Sequence, residues 1–173
     1  MSQSAAIVAA IDRLNELIGR WIAWLTLFMV LVTVVIVVLR YGFSIGFIWM
    51  QESVRFMYAA VSLLGAGYTL KHDGHVRVDM LYERMGLQRR AWVDLLGTLL
   101  FLFPVCFSVI YFSWDYVLNS WADFEGSIEE RGLHAVYLLK TCIWLFAGLL
   151  ILQGIGTVIR TTRSLRSPGS SSK

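Results

Sequence analysis

The stretch Trp49–Asp79, WMQESVRFMYAAVSLLGAGYTLKHDGHVRVD, decides how this chain folds. It opens on a tryptophan and an acid–base pair, Glu52 and Arg55, and continues through the uncharged run from Phe56 to Leu70. It then breaks abruptly into a polar, histidine-bearing turn. Charges gathered at the ends of an apolar run of this length fit a helix crossing the bilayer, which needs roughly 20 residues. The later half carries Ala59, Ala60, Ser62, Gly65, Ala66 and Gly67. Small side chains let helix backbones approach closely in lipid, where packing drives association, so this helix is expected to have the most protein neighbours.

Three more spans follow once this one is placed. Trp21–Leu39 holds no charge and is bracketed by Arg20 and Arg40, which makes it span one. The turn RYGFSIGFI leads from it to span two, at about 49–70, with Tyr41, Phe43, Phe47 and Trp49 suited to the membrane interface. Span three covers about 91–114, with Pro104 expected to kink it, and span four covers about 133–159. Residues 1–20 form an amphipathic lead-in, where Ile7, Ile11, Leu14 and Ile18 repeat at helical spacing opposite Asp12, Arg13, Asn15 and Glu16. That stripe predicts a helix on the membrane surface. It has no small-residue cleavage site, so it is expected to stay in the mature protein. Val78, Leu81, Tyr82 and Met85 predict a second surface helix, ending near Gly86. Residues 164–173 read as a disordered tail. The fold class is therefore an all-α integral membrane protein with four transmembrane helices and two surface helices.

Bulk composition agrees. Hydrophobic residues make up 57 % of the 173 and charged ones 16 %, against about 45–50 % and about 25 % in soluble domains. The net charge of +3 is spread over span ends with no basic block, which argues against nucleic acid as a partner. Cys106 and Cys142 sit in apolar runs without a CxxC and read as small apolar residues. Lys and Arg concentrate at the N-terminus (Arg13, Arg20), in the middle loop (Lys71, Arg77, Arg84, Arg89, Arg90) and in the tail (Arg160, Arg163, Arg166, Lys173). The other two connections hold only Arg40 and Arg55, then Arg131 and Lys140. The positive-inside rule puts both termini and the middle loop in the cytoplasm and the acidic loop Asp115–Arg131 outside.

Ionisable residues near lipid are functional candidates by default. Glu52, Arg55 and Lys140 lie toward the outer face, and Asp94 lies at the inner face four residues after Arg90. One reading makes them helix-end anchors that snorkel to the interface. The sharper reading joins Glu52, Arg55 and Lys140 in a polar contact between spans two and four or with a partner subunit. No ladder of acids crosses the membrane, which argues against an ion relay. His72 and His75 fall on the cytoplasmic side and His134 on the opposite side, so they are not expected to share a haem. Neither a metal cluster nor a catalytic constellation emerges, and no cofactor or enzymatic activity is expected.

Four spans, a W-x-E-E-like opening to span two, small residues, then G-H-[IV]-x-V-D together resemble the small membrane subunit of tripartite ATP-independent periplasmic (TRAP) transporters. The residues that carry the resemblance are Trp49, Glu52, Gly65, Gly74, His75, Val76, Arg77, Val78 and Asp79. It extends over about residues 10–163, and GHVRVD is its most specific part. Gln51 stands where the family often has a first acid, leaving Glu52 as the sole carboxylate of the opening. The resemblance implies a secondary transporter for organic acids in the bacterial inner membrane. A periplasmic binding protein delivers substrate, and a large membrane subunit carries it inward on an ion gradient. The small subunit acts as a scaffold beside the large one. Trp49, Glu52, Arg55, Gly65 and Lys140 are the expected subunit-interface residues, and Gly74, His75, Arg77 and Asp79 form the cytoplasmic motif. YTLKHDGHVRVD looks like the version found in systems handling small carboxylates such as 2-oxo acids. The rival classes are a membrane anchor of a redox complex, which predicts haem or quinone chemistry, and a small self-dimerising exporter, which wants an acid deep in a span.

Overall fold

A computed structural model describes residues 3–72, 85–129 and 131–166. They form helices joined by short links, with no strand among the described residues. Helix α1 covers Gln3–Phe43 and α2 covers Ile48–Lys71. Helix α3, Leu87–Gly97, passes through a π-helical turn at Thr98–Leu102 into α4, Phe103–Ala122. Helix α5 covers Val136–Arg166. The expected surface helix around Val78–Met85 and the motif residues Gly74, His75, Arg77 and Asp79 fall mainly in residues 73–84, outside the described residues. So do residues 167–173 of the tail.

Ala6–Phe43, Gln88–Ala122 and Val136–Arg163 are long and apolar enough to cross a membrane. Helix α2 falls short of that standard because Arg55, Tyr58, Ser62 and its glycines dilute its apolar content. It nevertheless packs between α1 and α5. The helices run up, down, up and down. Tyr68 near the end of α2 lies over Gly19 of α1, and Asp12 of α1 meets Arg160 of α5 at 3.4 Å. At the opposite end Glu52 of α2 reaches Leu133, just before α5. The start of α1 and the end of α5 therefore share one end of the bundle.

The lead-in is not a separate surface helix. It is the first half of α1, which continues for 41 residues with no proline to stop it. At about 1.5 Å per residue that is roughly 60 Å, about twice the hydrocarbon thickness. Ile11 of the predicted stripe is buried, but so is Asn15 from the predicted polar face, at 1 % exposure. It is the predicted polar face that meets α5 and α2, through Asn15 and Glu16, while Ile7 and Leu14 of the stripe stay exposed.

Helix α5 is the centre of the bundle and packs against every other helix. A third of its apolar stretch (33 %) is buried, against 0 % for α1 and 6 % for α3–α4, so the latter two give most of their surface to lipid or partners. Cys106, Ala147 and Leu150 form the core, with Ala66 and Leu70 of α2 packed on it. Just before Pro104, where a kink is expected, the helix passes through the π turn. Proline has no N–H to donate, and the Phe103 N–H instead reaches back five residues to Thr98 O. Gly154 of α5 faces this turn, and a Cβ there would come within 2.6 Å of Leu102 and 2.8 Å of Phe103.

Candidate functional site

Polar side chains gather at the two ends of the bundle. At the first end, Glu52 sits in the second turn of α2. It is 5 % exposed. Arg55 Nη2 donates to its Oε1 at 3.0 Å, Ser127 Oγ donates to the same oxygen at 2.5 Å, and the Leu133 backbone N–H donates to Oε2 at 2.6 Å. A buried charge is tolerable when donors surround it in this way. Glu52 therefore fastens the segment between α4 and α5 onto the head of α2. Arg55, one turn further, keeps 70 % of its side chain exposed. It lines an open groove with Ile48, Gln51 and Glu129.

Lys140, in the second turn of α5, does not join this pair. It binds Glu125 and lies 3.8 Å from the centre of the Tyr116 ring. The hydrogen bond from Lys140 holds the Glu125 carboxyl below its ordinary range. Beside it Trp121 Nε1 donates to Thr141 Oγ1 at 2.8 Å, and the Trp121 and Tyr137 rings meet edge to face. The contact expected among Glu52, Arg55 and Lys140 is thus two separate clusters, each tying the 123–135 segment to a different helix. Trp49 is about half exposed, its ring tilted against Phe47 with the centroids 6.2 Å apart. At Gly65 an added Cβ would meet open space.

The second end holds a cluster that sequence reasoning missed. Asn15 Nδ2 donates to Gln153 Oε1 at 2.9 Å, and Gln153 is also 1 % exposed. Gly67 of α2 closes over this pair: a Cβ there would stand 2.6 Å from Asn15 Oδ1 and 3.1 Å from Leu149. Around it Lys71 Nζ donates to Glu16 at 2.7 Å and to the Asp12 carbonyl at 3.1 Å, while the His72 ring lies 3.2 Å from Glu16. The one available signal was Gln153, the only amide in the fourth apolar run. His72 is at this end and His134, beside Gly126, at the other, so these two rings are held apart by the length of the bundle. Among the described residues no group of three His, Cys, Asp or Glu is placed to hold a metal.

Long apolar helices, a packed centre and polar clusters confined to the two ends define a multi-pass helical membrane protein. The family described as "Tripartite ATP-independent periplasmic transporters, DctQ component" matches residues 29–164, and the chain belongs to it. It is therefore a TRAP transporter component of the small-subunit type. No curated relative and no solved structure matches the chain.

Proposed function

We propose that this chain is the scaffold of a TRAP transporter in the bacterial inner membrane. It holds a large membrane subunit that takes up organic acids, delivered by a periplasmic binding protein, on an ion gradient. The chain crosses the bilayer four times with both ends in the cytoplasm. α2 counts as the fourth span because it lies between α1 and α5 and extends 24 residues, about the length the bilayer requires.

The observation that carries this reading is the family match together with a bundle whose interior is filled. Cys106, Ala147 and Leu150 occupy the centre, and the buried Asn15–Gln153 pair fills the interior toward the second end. Alternating-access carriers build their sites at broken helices between internal repeats near mid-membrane. Here the π turn at Thr98–Leu102 packs against Gly154, and the charged groups lie at the ends. A chain of this kind supports a carrier rather than acting as one. Proteoliposomes holding this chain alone, supplied with binding protein, a sodium gradient and substrate, are expected to show no uptake above protein-free vesicles. Robust uptake by the chain alone would overturn the reading.

A further inference from the structure

Facing outward on α2 is a row of residues that lipid cannot satisfy. Gln51, Arg55, Tyr58 and Ser62 are exposed at spacings of four, three and four, which places them on one helix face. Gly65 continues the row, and above it lies open space. Between Met50 and Leu70 none of the exposed residues is aliphatic. The other helices differ. α5 exposes Leu138, Leu145, Leu152 and Ile155. α1 exposes a broad apolar surface whose one exposed hydroxyl in the span, Thr33, donates back to Met29 O. On α4 the exposed row from Val105 to Phe112 sets two hydroxyls, Ser108 and Tyr111, among Val105, Phe107 and Phe112, and carries no charge or amide.

Thr26, Thr69, Thr157 and Thr162 donate to carbonyls of their own helix. The row on α2 lacks that remedy, since Tyr58 and Ser62 have no hydrogen-bond partner within the described residues. Unpaired polar groups in hydrocarbon cost several kcal/mol by rough measure, whereas a neighbouring helix can satisfy them. Arg55 spends one nitrogen on Glu52, and its exposed guanidinium has further donors beside Gln51. That end of the row suits an acceptor such as a carboxylate or the carbonyl end of a helix. Ser62 and Gly65 suit close helix approach.

We infer that the outward face of α2, from Gln51 through Tyr58 and Ser62 to Gly65, is where the large membrane subunit docks. Its docking helix presents small residues opposite Ser62 and Gly65 and a hydrogen-bond acceptor opposite Arg55. This rests on the proposed scaffold role and names the face that performs it. Neighbouring α1 and α5 keep their apolar faces to lipid.

The test uses the complete transporter, with the large subunit tagged and the small subunit varied. Ser62→Trp and Gly65→Leu are expected to cut co-purified small subunit at least tenfold, while Leu31→Trp on α1 and Leu152→Trp on α5 stay within twofold of the parent. Ser62→Cys, a change too small to disturb folding, is expected to cross-link to the large subunit. Equal effects at all four positions, losses confined to α1 or α5, or Ser62→Cys cross-linking to a second copy of this chain would each overturn the docking assignment. Failure of the parent chain to co-purify with the large subunit would overturn the scaffold reading itself, so the two failures are distinguishable.

Discussion

Glu52 Oε2 accepts the Leu133 backbone N–H at 2.6 Å, across 81 residues of chain. The contact joins the first turns of α2 to the segment that leads into α5, while Ser127 Oγ clasps the other carboxylate oxygen. The acid of the family-like opening therefore points inward at its own chain. Arg55 is the member of the pair that stays exposed.

Glu52→Gln keeps the shape of the side chain but removes the charge that Arg55, Ser127 and Leu133 share. Hydrogen exchange at the Leu133 amide is expected to speed up by roughly tenfold or more, because a charge-assisted bond becomes a neutral one. Exchange at core amides around Ala147 is expected to stay unchanged. Uniform acceleration along α5 would show that Glu52 holds up the fold as a whole.

Asn15 and Gln153 form a buried amide pair between α1 and α5. In a double-mutant cycle of Asn15→Ala and Gln153→Ala in detergent, the coupling is expected near 0.6 kcal/mol and no more than about 1.7 kcal/mol, as for other hydrogen bonds between membrane helices. Gly67→Leu is expected to cost more than either single change, because its side chain would run into Asn15 and Leu149. A cycle with no coupling would remove the pair from the interactions that hold α1 down.

The Glu125 carboxyl is held below its usual value of 4.5 by the hydrogen bond from Lys140. A lowered folded-state value stabilises the protein at pH above the unfolded value of about 4.5, and that stability is lost as pH falls through the folded value. Thermal unfolding followed from pH 7 to pH 3 should therefore drop on the acid side. In Glu125→Gln the drop should be shallower, from a lower starting point. Identical acid limbs in the two proteins would show that the Lys140 contact does not form in solution.

If the bundle sits in the membrane as proposed, single cysteines at Gly126 and at Ser4 report opposite sides. In a background lacking Cys106 and Cys142, an impermeant maleimide added to whole spheroplasts should label the first and spare the second until the membrane is opened. The reverse pattern would invert the orientation.

Much of the architecture was legible in the sequence because hydropathy records what lipid demands. The uncharged run Trp21–Leu39 and the apolar run ending near Ile159 became the long helices α1 and α5. The boundary at residue 20 was not legible. An amphipathic stripe running into an apolar one without a proline continues as one helix, and its partners decide which face is buried. Asn15 turned inward because Gln153 and Gly67 wait for it, and nothing in residues 1–20 announces that. Partners distant in sequence were equally hidden: Lys140 found Glu125 rather than Glu52, and Glu52 found Ser127 and Leu133. Pro104 did signal a disturbance in span three, but its form, a π turn against Gly154, depends on the neighbouring helix. The small residues near Gly65 were legible as an approach surface, but the tight approach within the chain occurs at Gly67 and Gly65 is left open.

The most direct measurement compares substrate uptake by proteoliposomes holding the large subunit with and without this chain, both supplied with binding protein and a sodium gradient. Uptake is expected with the chain present and a fall to the level of empty vesicles when it is left out. Undiminished uptake by the large subunit alone would contradict the account.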